Sequence, residues 1–172
     1  MTLDLSDDRL RLRERIVAFY AYETALLDDA RYHAWLDLFD DDARYMMPMR
    51  ETRQGTVPKY EEELPVFYVF DETKESLQAR VARLDTGLAL VESPPSATQR
   101  MVTDVSVVEV TGDDVVARSS FLVYELRDEQ NGAFFIGRRE DRLRRLDDGF
   151  RIARRDITLA QYVLPRAISV FF

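Results

Sequence analysis

Along the first third of the chain, apolar residues recur at helical spacing. Ile16, Phe19, Tyr20, Leu26 and Leu27 fall on one face, with Glu23 as the polar member of the stripe. Ser6 stands ahead of it as a capping candidate, and Asp7 and Asp8 suit the positive end of a helix dipole. The stretch "LLDDAR" reads as a break. A second, short helix then carries Tyr32, Trp35, Leu36 and Phe39 at i, i+3, i+4 and i+7, with Trp35 and Phe39 as its core anchors. Asp40, Asp41 and Asp42 would crowd the negative end of that helix, so it is expected to stop there. "ARYMMPMR" reads as a strand ending near Pro48, and Glu51 to Leu64 as a loop. "DETKESLQARVARLDTG" predicts a third helix with Thr73, Leu77, Val81 and Leu84 as its stripe and Gly87 as its stop, and "ESPPS" ends a short strand after it.

The remainder changes period. "QRMVTDVSVVEV", "VVARSSFLVYEL", "AFFIGRREDRLRRL" and "FRIARRDITLA" are four strand-like runs, separated by the hairpin signals "TGDD", "RDEQNG" and "DDG". Helices first and an antiparallel meander afterwards predict an α+β fold, with helices packed on one face of a curved sheet. The length of 172 residues fits a single domain spanning 1–172.

Composition narrows the chemistry. The net charge of −8 speaks against a nucleic-acid partner, which needs a basic face. No apolar run approaches a membrane span, and the charged start "MTLDLSDDRLRLRER" is unlike a signal peptide, so the expected compartment is the cytoplasm. The chain has no cysteine and one histidine, His33, which excludes a thiolate nucleophile, a cysteine-held cluster and any site needing two histidines of one chain.

Two stretches are chemically unusual. "GRREDRLRR" would place Arg138, Glu140, Arg142 and Arg144 on one face of a strand and Arg139, Asp141, Leu143 and Arg145 on the other. Such charges need partners or water on both sides. A solvated sheet end, a subunit interface rich in arginine–carboxylate pairs and an anion site all satisfy that need. The closing "YVLPRAISVFF" leaves Phe171 and Phe172 either returning to the core or docking on another subunit.

The ordered set "WLDLFDDDARYMMP", "DETKESLQARVARLDTG", "ESPPSATQRMVTDVSV", "FLVYELR", "GRREDRLRR", "FRIARRDITLAQ" and "ISVFF" resembles the small (beta) subunit of Rieske-type aromatic-ring-hydroxylating dioxygenases. The resemblance implies a cone-shaped sheet closed by helices, the nuclear-transport-factor-two-like fold. It implies a large (alpha) subunit partner in a hexamer of three large and three small chains, with the small chains forming a trimer. The Rieske iron–sulfur cluster and the mononuclear non-haem iron would sit in the large subunit, with no cofactor in this chain. Electrons would come through a reductase, often by way of a ferredoxin, and both atoms of oxygen would enter an aromatic ring. One departure is clear: where the family commonly has Arg-His after "PPS", this chain has Arg100-Met101.

On this reading the chain is structural. Arg138, Arg139, Asp141, Arg142 and Arg144 are expected to form inter-subunit ion pairs, and Phe171 and Phe172 to pack at a subunit contact or close the cone. The same fold also hosts small dehydratases and isomerases. If the first two helices were continuous, Asp29, His33 and Asp37 would share one column, and a stand-alone, cofactor-free acid–base enzyme would use them. A third reading is a binding module that holds a small apolar ligand in the cone.

Overall fold

The computed structural model describes residues 6–49, 67–86, 96–127, 131–165, 168 and 170–172. The expected loop Glu51–Leu64, the stop at Gly87 and most of "ESPPS" lie outside them. Helix α1 (Asp7–Asp28) buries Ile16, Tyr20, Glu23, Leu26 and Leu27 of the stripe its spacing predicts, while Phe19 is half-buried. It ends where "LLDDAR" begins to break: Ala30 takes φ 55, and α2 (Tyr32–Leu36) starts afresh.

The short helix ends earlier than its spacing implies. Strand β1 (Phe39–Pro48) already contains Asp40 to Asp42. Tertiary pairing overrides the local pattern here. Ile152 N–H donates to the Leu38 carbonyl at the strand entry. Arg144 reaches Asp40 at 2.8 Å, and Lys74 reaches Asp41 at 2.8 Å. Partnered in this way, an acidic run is tolerated in a strand. Trp35 and Phe39 are nevertheless both fully buried, their rings 4.9 Å apart and edge-on.

A strand absent from the hydrophobic pattern, β2 (Tyr68–Thr73), runs straight into α3 (Lys74–Asp85). Thr73 therefore caps the helix and is not part of its stripe: its hydroxyl accepts from Ser76 N–H, and the Ser76 hydroxyl accepts from Thr73 N–H. Leu77 and Val81 are its buried residues. The four later runs become β3 (Ala97–Thr111), β4 (Asp114–Leu126), β5 (Gly132–Arg145) and β6 (Phe150–Leu159).

All six strands join one sheet in the order β2-β1-β6-β5-β4-β3. The β3 to β6 meander is antiparallel, as is β1 with β2, but β1 pairs with β6 in parallel. The sheet is curved and unclosed, and the helices pack against its concave face. Arg13 ties α1 to β3 by donating to the Val105 carbonyl at 2.8 Å, and Arg9 does the same to Val107 at 2.7 Å. Close packing within the sheet depends on Gly137, where a Cβ would run into the Thr158 carbonyl and the Phe121 ring. The α+β class expected from the order of elements, and the cone that the resemblance implies, are the observed architecture.

Candidate functional site

The interior of the cone is where a pocket would lie in this architecture, and among the described residues buried aromatic and charged side chains pack into it. Glu23 of α1 reaches in at the centre. Arg155 of β6 donates Nη1 to Glu23 Oε1 at 2.6 Å and Nη2 to Oε2 at 3.0 Å. The same guanidinium takes Asp141 of β5 bidentately, through Nε at 2.9 Å and Nη2 at 2.8 Å. Arg139 adds a second cation, 2.8 Å from Glu23, with its Nε donating to the Ser119 hydroxyl at 3.3 Å. Trp35 Nε1 donates to Glu23 Oε1 at 3.1 Å, and the Arg139 guanidinium lies 4.4 Å from the centre of the Tyr20 ring.

Two carboxylates and two guanidinium groups thus form a neutral cluster, each member less than a twentieth exposed. Burial alone would raise the pKa of Glu23, but Arg139 and Arg155, with hydrogen bonds from Arg155 and Trp35, bring it down to about 2. Burial works against the charged form of Arg155 as well, yet Asp141 and Glu23 hold it well above the usual arginine range. Burial pushes Tyr45 up to about 12, and drives Tyr20 above its ordinary value with the neighbouring Asp141 adding to the rise. Glu23, Arg155, Tyr20 and Tyr45 are thereby each held in one protonation state near neutral pH. That is the reverse of a proton-transfer site, whose groups titrate close to the working pH.

One expectation is corrected. Arg139 and Asp141 do not face a neighbouring subunit: they point into the cone and pair within the chain. Phe171 and Phe172 likewise return to the interior. Phe171 lies 4.6 Å from Trp35, and Phe172 lies 5.3 Å from Phe121 and 5.7 Å from Phe135, ring centre to ring centre. Both phenylalanines are buried within the chain itself.

The alternative acid–base set is not assembled. The turn at Ala30 breaks the continuity that would align Asp29 with His33 and Asp37, and all three side chains lie at the surface. His33 pairs with Asp85 of α3 at 2.9 Å, with 73% of its side chain exposed. Neither iron centre fits this chain. A Rieske cluster takes two cysteines and two histidines, and a facial iron triad takes two histidines and a carboxylate. The sequence has no cysteine and one histidine. Among the described residues no group of three His, Asp or Glu side chains is placed to hold a metal, and no helix is long and apolar enough to cross a membrane.

The outer face of the sheet is different. Arg118 and Glu140 pair across β4 and β5 at 2.5 Å, Arg154 grips Asp156 at 2.6 and 2.9 Å, and Arg44 pairs with Asp71. Arg144 is divided between Asp40 at 2.8 Å and Asp114 at 3.7 Å. Arg138 and Arg142 are exposed and make no ion pair among the described residues. Met46, Tyr68, Arg138, Glu140 and Asp156 border a groove of about 540 Å³ on this face.

Some of this was open to sequence reasoning and some was not. Glu23 in an apolar stripe signals a buried carboxylate in need of a cation. Arg139 and Asp141 share parity with Ala133, Phe135 and Leu143, which marks their face as the inner one. Arg155 carries no such signal. An extra residue in β6 near Ala153, where Leu143 pairs with Ile152 but Arg142 with Arg154, switches the parity and turns Arg155 inward. Arg100, which reaches the interior from β3, was recognised only as a family position.

Comparison with known proteins agrees with this geometry. The structure superimposes on a chain of naphthalene 1,2-dioxygenase with indole bound in the active site, at a TM-score of 0.85 and 21% identity, covering 99% of this chain and 89% of that one. The beta subunit of benzoate 1,2-dioxygenase from Burkholderia mallei matches at a TM-score of 0.66 and 23% identity, over 92% of each chain. An NTF2-like protein with a cystatin-like fold from Novosphingobium aromaticivorans matches at 0.57 and 18%, covering 94% of this chain and 93% of that one. These likenesses establish the cone fold. Residues 22–166 match the family of the ring hydroxylating beta subunit, most of the chain from the second half of α1 to beyond β6. With its interior filled and its sequence matched over that span, the chain belongs to the ring hydroxylating beta subunit family.

Proposed function

We propose that this chain is the structural, non-catalytic small subunit of an aromatic-ring-hydroxylating dioxygenase. Its partner is a large subunit that carries the Rieske cluster and the mononuclear iron. Three copies of each make the hexamer, the small chains associate as a trimer, a reductase, often through a ferredoxin, supplies electrons from a nicotinamide cofactor, and the complex works in the cytoplasm. The observation that carries the reading is the filled cone. The space that would hold a substrate holds Phe171, Phe172 and a neutral, fully paired ion cluster. Membership of the beta subunit family supports the same role.

The side chains offered to a neighbour are on the outer face. Arg138 and Arg142 project without an ion partner among the described residues, and Arg144, though paired with Asp40 and Asp114 of its own chain, is still 44% exposed. Arginine forks of this kind suit carboxylates across an interface.

The test is co-expression with the large subunit. Ring dihydroxylation that requires both chains, from a complex with equal numbers of each, is the expected result. Substrate turnover by the purified small chain, abolished by His33→Ala, would overturn the proposal.

A further inference from the structure

Phe171 and Phe172 are held differently from the helices and strands around them. They belong to no helix or strand, yet each is almost fully buried. Side chains, not a backbone ladder, bind their main-chain atoms. Arg100 donates Nε and Nη2 to the Phe171 carbonyl at 3.2 and 2.9 Å, and Arg155 Nη1 donates to the main-chain oxygen of Phe172 at 2.7 Å. The Phe172 N–H donates to the Tyr45 hydroxyl at 2.8 Å, and that hydroxyl donates to the main-chain oxygen of Phe172 at 3.3 Å. Aromatic walls receive the rings: Trp35 and Tyr32 for Phe171, Phe121 and Phe135 for Phe172.

The groups that bind the segment are positioned without it. Asp28 anchors Arg100 Nη1 at 2.5 Å, with the Thr98 hydroxyl at 2.7 Å. Glu23 and Asp141 fix Arg155. Tyr45 stands in β1, with its ring against Trp35 and Phe70. Apolar walls with a few converging polar groups, fixed in advance, are the makings of a ligand site. We infer that the cone contains a preformed binding site for a peptide segment bearing two consecutive aromatic residues, which this chain occupies in cis with its own Val170–Phe172. This goes beyond the subunit role, and that role stands whether or not the site is separable from its occupant.

Two emptied chains test it: one ending at Ser169, the other of full length with Phe171→Ala and Phe172→Ala. The probe is the synthetic peptide Ile-Ser-Val-Phe-Phe, followed by thermal unfolding and calorimetry. At roughly a hundredfold excess over its dissociation constant, the peptide should raise the melting temperature of an emptied chain by about 5–10 °C. The intact chain, already occupied, should shift by less than ~1 °C, and Ile-Ser-Val-Ala-Ala should leave all three unchanged. Adding Arg100→Met to the full-length emptied chain should weaken the peptide by about tenfold or more. An emptied chain that folds, by circular dichroism, and ignores millimolar peptide overturns the inference. So does failure of both emptied chains to fold even when refolded with the peptide, because the segment would then be ordinary core.

Discussion

Strand β5 presents nearly the same residue types to two different worlds. Its inner face carries Arg139 and Asp141 within the cone, and its outer face carries Arg138, Glu140 and Arg142 toward solvent. Inside, each charge is desolvated, so it survives only because Glu23, Arg155 and their hydrogen-bonding neighbours surround it completely. Outside, Arg118 and Glu140 keep much of their hydration, and their pairing changes little when it is lost. Chemical identity does not set the worth of an arginine here. Burial and completeness of partnership do.

The largest test of that contrast removes one inner charge. Arg155→Met leaves Glu23 and Asp141 facing Arg139 alone, one uncompensated negative charge in a dry interior, and should cost about 3–5 kcal/mol in urea unfolding. A loss below 1 kcal/mol would mean that the cluster is wetter than its burial implies. Asp141→Ala should act the same way, lowering the stability of the chain itself before any effect on assembly.

Acid reads the same cluster without mutation. Glu23 is held at about 2 against an ordinary 4.5, so its ionised form favours the folded state. That contribution is complete above about pH 4.5 and is lost as pH falls toward 2. It is worth on the order of 3 kcal/mol. Glu23→Gln should flatten the acid limb of a stability-against-pH curve over that window. An unchanged limb would assign acid sensitivity to other carboxylates.

Smaller effects are expected outside. Glu140→Ala should change chain stability by less than about 1 kcal/mol, and the change should shrink further in high salt. Arg142→Glu should leave unfolding of the isolated chain nearly untouched while weakening its assembly, seen as lost hexamer mass in light scattering. Full assembly would show that this face is solvated and not an interface. The smallest effect belongs to His33→Ala. The exposed pair with Asp85 is worth a few tenths of a kcal/mol, and turnover by the reconstituted complex should be unaffected.

How much of this was legible differs along the chain. The α1 stripe was readable down to its odd member, because helical periodicity and burial coincide there. The four strands after Ala97 were readable from alternation and turn residues. β2 was not, since "YVFDET" is short and shows no strict alternation. The end of α2 is not legible because Phe39 continues the helical spacing while its backbone pairs with β6. In the interior, Glu23, Arg139 and Asp141 each left a trace in the pattern. That they belong together could not be read, since the closest two in sequence from different elements are more than a hundred residues apart.

From its residues alone the chain determined that helices precede an antiparallel meander, its α+β class and its exclusion from cysteine and multi-histidine chemistry, because these depend on local spacing and on which side chains exist. Tertiary structure alone decided which face of β5 is dry, that an extra residue in β6 turns Arg155 inward, and that Phe171 and Phe172 come back to fill the cone. Those outcomes depend on long-range contacts, where the desolvation of a charge and the filling of a cavity are settled by what arrives from the far end of the chain.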